Sequence, residues 1–168
     1  ARNLISALCA LETAGVVHCD LKPTNIAISD PDDLTTVRLI DFGGSVMSSR
    51  RSRIQTPAYC SPEQLRSGVV TPKSDVYTMG LILAELLCLG LESNPYPNAF
   101  NAWKTHPNDE IAMKGRMAWG HAIRESGVSA LLTPMLYRDL DRRKLASQLT
   151  GIDLISGSKY KILSIYGN

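Results

Sequence analysis

A mainly α fold with one short β-hairpin is what this sequence predicts, on three observations. Leu4, Ile5, Leu8 and Leu11 recur at helical spacing. Two short apolar runs, Asn25–Ile28 and Val37–Ile40, flank the acidic turn Ser29-Asp-Pro-Asp-Asp33, the pattern of a small hairpin. Residues 72–89 are apolar almost all round, which suits a helix at the centre of a domain.

In chain order, the first helix covers roughly residues 1–14 and stops at Ala14-Gly15, where glycine supplies the exit. The hairpin follows. From Asp41 to Arg53 the chain is Gly, Ser and Arg with little to bury, and it reads as a mobile surface loop. After the central helix, residues 90–108 hold three prolines, four asparagines and Trp103, and read as an irregular connection. Asn108 can cap a helix from Asp109 to about Gly127. Val128, Leu131, Leu132, Met135 and Leu136 again have helical spacing, with Pro134 starting or kinking a turn. A last helix is expected over Asp141–Ile155.

The chain has 168 residues, 44% apolar and 20% charged, enough for one domain with a sizeable core. A net charge of +2 makes no electrostatic case for nucleic acid. The greasy stretch Met79–Leu91 is too short to span a membrane and contains Glu85, so no membrane association is expected. Cys9, Cys19, Cys60 and Cys88 form no C-x-x-C pair, which points away from zinc or a disulfide scaffold. An intracellular compartment, cytoplasmic or nuclear, is the expectation.

Three motifs then occur in order: His18-Cys-Asp-Leu-Lys-Pro-Thr-Asn25, Asp41-Phe-Gly43 and Ser61-Pro-Glu63. Any one alone is weak, since an isolated Asp-Leu-Lys is usually a solvated turn. Together, in this order and spacing, they resemble the catalytic loop (18–25), the DFG motif (41–43) and the A-P-E motif of eukaryotic protein kinases of the serine/threonine type. The resemblance covers nearly the whole chain. It implies a protein-kinase-like large, C-terminal lobe over 1–168, with an activation segment at 41–63 and a central helix at 72–89. The small N-terminal lobe, with its Gly-rich loop and strand lysine, is absent from these residues.

The resemblance also implies roles. Phosphoryl transfer needs positioning and charge neutralisation more than covalent help. Asp20 would orient or accept the substrate hydroxyl proton, and Lys22 would offset charge on the transferred group. Asn25 and Asp41 would offer oxygens to Mg2+, a hard cation, and with Ala27 on the adenine floor they would form the ATP side of the site. Thr56 would lie in the segment that receives the protein substrate, whose acceptor is a Ser or Thr hydroxyl. His18, Phe42, Gly43, Glu63, Asp75 and Arg143 are structural on this reading. His18 stacks under Phe42, Gly43 lets the chain turn, Asp75 accepts hydrogen bonds from the catalytic-loop backbone, and Arg143 pairs with Glu63.

Departures qualify this. Cys19 replaces the arginine that usually receives a loop phosphate, so Ser45, Ser48, Ser49 and Ser52 are uncertain switches. Gln55 replaces the usual glycine before Thr56. The Arg50-Arg-Ser-Arg53 cluster is either a solvated loop or a docking patch for acidic substrate. The leading expectation is a kinase lobe, inactive alone and with its face around His18, Ala27 and Phe42 exposed, that acts when completed by the missing N-lobe. The alternative is a non-catalytic, pseudokinase-like binding module.

Overall fold

The computed structural model describes residues 2–89 and 129–152. The irregular connection, Trp103 and the helix expected at 109–127 lie outside the described residues. The chain forms two compact units, Ala1–Ile82 with Thr133–Gly151, and Leu83–Leu132 with Ile152–Asn168. All site residues lie in the first.

Helix α1 runs Arg2–Ala14 and buries Leu4, Ile5 and Leu8, the face that the spacing picked out. Gly15 ends it at φ +67, a conformation that costs a glycine little. Strand β1 (Val16–Val17) leads into the 18–25 loop, and β2 (Ile26–Ile28) pairs antiparallel with β3 (Val37–Leu39), setting Ala27 opposite Arg38. The acidic turn closes on itself, with Asp33 accepting from the Thr35 N–H at 2.8 Å. The expected hairpin is present.

The 41–53 segment is more than a surface loop. Val46–Met47 form strand β4, paired with β1 so that Val17 faces Val46. Val46 packs against the buried Val17, Cys19 and Val70, an apolar contact that the Gly, Ser and Arg composition concealed. Further on, Arg51 bridges to Val69, and the Ser49 N–H donates to the Val70 carbonyl at 2.9 Å.

Helix α2 (Pro62–Ser67) begins at Ser61, whose hydroxyl accepts from the Gln64 N–H, and ends at Gly68 with φ +72. Ser as N-cap, Pro at the first helical position and Gly past the last are ordinary start and stop signals. Helix α3 (Pro72–Leu89) buries Val76, Met79, Leu81, Ile82, Leu83 and Ala84, although Leu86 is 52% exposed. Gly80 lets the chain at 135–136 approach closely: a Cβ there would lie 2.9 Å from Leu136 Cδ2 and 3.0 Å from Met135 Cβ.

The helix Ser129–Leu136 contains Pro134 within it. No α-helix forms between 141 and 152. Turns run from 139 to 143, and Ala146–Gln148 is a single 3-10 turn preceded by an extended Leu145. The reason is local. Asp139 accepts from the Asp141 N–H at 2.9 Å and its carbonyl from the Arg143 N–H at 3.1 Å, a turn that carries Arg143 inward. The 3-10 turn packs on α1, where the Ser147 hydroxyl donates to Glu12 at 2.7 Å.

Candidate active site

Asp20 is buried, and both its carboxylate oxygens are held. Lys22 Nζ lies 2.6 Å from Oδ2, and the Thr56 hydroxyl donates to Oδ1 at 2.6 Å. Burial alone would raise this carboxyl, but the hydrogen bonds from Lys22 and Thr56 and the Lys22 charge outweigh it and hold Asp20 below the usual carboxylate range. Asn25 completes the cluster, its amide donating to the Asp20 carbonyl at 2.8 Å and lying 3.4 Å from Oδ2. Proline at 23 starts the single 3-10 turn that brings Asn25 back over Asp20.

The loop backbone under Asp20 is strained and braced. Cys19 has φ +70, a left-handed conformation that costs a residue with a Cβ on the order of 1–2 kcal/mol. Asp75, in the first turn of α3, accepts from both the His18 N–H (2.6 Å) and the Cys19 N–H (3.1 Å). Gln64 of α2 donates to the Cys19 carbonyl at 3.1 Å. Burial pushes the Asp75 carboxyl up to about 7 against the pull of those two N–H groups. The Cys19 and Cys60 thiols are pushed up to about 11, chiefly by burial, so neither is a reactive thiolate.

His18 is 0% exposed, which corrects the expectation that it lies on an open face. Its Nε2 donates to the Ile40 carbonyl at 3.0 Å, and its ring lies 4.8 Å from that of Phe42. The hairpin and Phe42 cover it. Phe42 itself is 47% exposed and Ala27 is half-buried, so that part of the expected face is open.

Asp41 has φ +63, and the turn after it closes with the Ser45 N–H donating to the Phe42 carbonyl at 3.0 Å. The left-handed residue is thus Asp41. Gly43 serves by lacking a Cβ, which would lie 3.3 Å from Asp41 Oδ1. The Ile40 N–H donates to the Asn25 carbonyl at 3.0 Å, so Asp41 leaves the hairpin beside Asn25. Both offer oxygen. The Asn25 amide nitrogen is already committed to Asp20, so its side-chain oxygen Oδ1 and the Asp41 carboxylate are the oxygens that could be offered to a hard cation.

Glu63 and Arg143 form a forked pair, Nη1 to Oε1 at 2.7 Å and Nη2 to Oε2 at 3.1 Å. Burial opposes ionisation of Glu63, but the Arg143 bonds and charge prevail and hold it low. Arg143 also donates to the carbonyls of Tyr137, Lys73 and Arg138, and stacks 4.7 Å over the Tyr77 ring.

Gln64 escaped the sequence reading as a site residue, although Ser61-x-x-Gln64 before Gly68 is a legible helix signature. Gln55 stands in the sequence simply as a replacement for glycine. Its amide lies against Gly44, where a Cβ would stand 1.9 Å from Gln55 Nε2. No pattern of spacing announces that contact.

Residues 1–153 match the family described as Protein kinase domain. Among curated relatives, a serine/threonine-protein kinase PknL of Mycobacterium tuberculosis is 44% identical over 92 residues, 51% of this chain and 22% of that protein. A dual specificity protein kinase YAK1 homolog of Arabidopsis thaliana is 37% identical over 102 residues, 60% of this chain and 11% of that protein. Serine/threonine-protein kinase A of Synechocystis is 34% identical over 110 residues, 57% and 21% respectively. The match to this chain spans about a fifth or less of the length of these relatives.

Proposed function

The chain belongs to the protein kinase family, and from that premise we propose that it is the large lobe of a serine/threonine protein kinase, transferring the ATP γ-phosphate to a protein hydroxyl when a small lobe completes it. The observation that carries this reading is the Asp20 carboxylate, buried yet held between Lys22 and Thr56 at 2.6 Å each. A module that only binds has no chemical need for that arrangement.

A carboxyl held below its ordinary range is ionised at neutral pH, so Asp20 can accept a hydrogen bond from an incoming Ser or Thr hydroxyl and receive its proton late in transfer. Thr56, now the donor to Oδ1, marks where that hydroxyl arrives. Lys22 carries a positive charge into the same cluster, suited to offset phosphoryl oxygens. Asn25 and Asp41 would hold Mg2+, and Ala27 would lie under the adenine. When bound, Mg-ATP supplies the phosphoryl group and its charge neutralisation. Residues 1–168 encode neither a Gly-rich loop nor a strand lysine, so on this reading the chain alone transfers no phosphate.

The test uses the full-length protein that carries this chain. Asp20→Asn should lower phosphate transfer to a Ser/Thr acceptor on the order of a hundredfold or more with Mg-ATP affinity little changed, and Asp41→Ala should weaken Mg-dependent nucleotide binding. Near-normal turnover in Asp20→Asn would sink the assignment. Unchanged Mg-ATP affinity in Asp41→Ala would favour a non-catalytic binding module.

A further inference from the structure

The Arg50-Arg-Ser-Arg53 run has an architecture that a solvated loop does not need. From Phe42 to Pro62 the chain has three arginines and no acidic residue. Arg50, Arg51 and Arg53 are exposed, and among the described residues no carboxylate pairs with any of them. Their backbone is pinned. The Val70 N–H donates to the Arg50 carbonyl at 3.0 Å, Arg51 bridges to Val69, and the Ser52 N–H donates to the Gly68 carbonyl at 2.9 Å.

The strip is also tied to the catalytic loop, through Ser52 within it and Thr56 just beyond it. Gln64, itself buried, donates through one Nε2 to the Cys19 carbonyl at 3.1 Å and to the Ser52 hydroxyl at 3.3 Å. Three residues beyond Arg53, Thr56 bonds Asp20. The guanidinium groups are therefore carried on backbone whose position relative to Asp20 is set.

We propose that Arg50, Arg51 and Arg53 form a docking strip for acidic residues flanking the acceptor hydroxyl, so that the protein substrate is an Asp- or Glu-rich segment. This deepens the kinase reading and rests on it. Guanidinium groups present a planar fork that carboxylates match with two hydrogen bonds. A local field of one sign beside the reacting hydroxyl also raises the encounter rate with acidic chains. Nucleic acid is the poorer fit, because the chain's net charge is only +2 and the positive strip is confined to four residues.

The experiment measures fluorescence anisotropy of two labelled peptides on the full chain, one with Ser flanked by Glu and one with Ser flanked by Lys. The acidic peptide should bind at least tenfold tighter, with affinity falling as salt rises. Exposed ion pairs are worth a factor of up to about five each. Replacing all three arginines by Ala should therefore weaken the acidic peptide on the order of tenfold, while the triple Lys variant keeps the preference for the acidic peptide at an intermediate affinity. Arg50→Glu with Arg51→Glu and Arg53→Glu should reverse the preference. Equal binding of the two peptides, indifference to the triple Ala change, or equally strong binding of a single-stranded oligonucleotide of matched charge would overturn the inference. In the full-length protein, phosphate transfer indifferent to flanking charge overturns it while leaving the kinase reading standing. Charge-selective binding with no transfer supports the strip and counts against the kinase reading.

Discussion

Arginine 143 is the side chain whose loss the structure makes most costly. It is 0% exposed, and its partner Glu63 is 8% exposed. Arg143→Ala would remove both bonds to the Glu63 carboxylate and leave it with the Ser74 hydroxyl, at 2.8 Å, as a side-chain donor. Breaking a buried pair from one side costs about 3–5 kcal/mol, because the surviving charge stays desolvated. Against a total stability of about 5–15 kcal/mol, that is a fifth or more. Arg143→Met separates charge from volume by filling most of the space.

The pH dependence carries the sign. Glu63 is held below its ordinary 4.5 in the folded protein, so the pair's contribution is fully present above about 4.5 and is lost as pH falls through the folded value. With Arg143 gone, burial meets only the Ser74 and backbone hydrogen bonds at Glu63, and its carboxyl moves up. The gap between wild type and Arg143→Met, read by urea unfolding and far-UV circular dichroism, should therefore be about 3 kcal/mol or more at pH 7 and shrink clearly by pH 4. Adding Glu63→Gln to Arg143→Met should recover much of the loss at pH 7. A gap under about 1 kcal/mol at pH 7, or one independent of pH, would refute the reasoning.

Two further predictions follow from burial and from close packing. Asp75 titrates near 7 in the folded chain against an ordinary 3.8, so its contribution to stability is fully present below about 3.8 and lost as pH rises through about 7; Asp75→Asn should abolish that trend, and a carbon-13 carboxyl midpoint near 4 would contradict it. Gly44→Ala and Gly80→Ala should differ sharply. The first meets only the far end of exposed Gln55 and should cost within about 0.5 kcal/mol. The second drives a methyl into buried Met135 and half-buried Leu136 and should cost about 1–3 kcal/mol, so thermal melts ranking Gly44→Ala as the more damaging would be incompatible with this packing.

What the sequence determined by itself is what repeats locally or depends on residue type. The α1 face, the 26–39 hairpin, the central helix and the glycine exit at 15 follow from periodicity and backbone sterics, which act within a few residues. The chemical types at 20, 22, 25 and 41 were legible because they stand in ordered motifs, and the pairs Asp75 with the loop backbone and Glu63 with Arg143 came with the resemblance. Tertiary structure alone decided the rest. Nothing local says that Val46 pairs with Val17, that Gln64 reaches both Cys19 and Ser52, or that Gln55 lies on Gly44, because each joins positions whose separation along the chain carries no period. Over the described part, 141–152, the helix expected at 141–155 is absent for the same reason in reverse. The chain instead turns at Asp139, and that turn brings Arg143 to the buried Glu63 eighty residues away, a contact that no local pattern encodes.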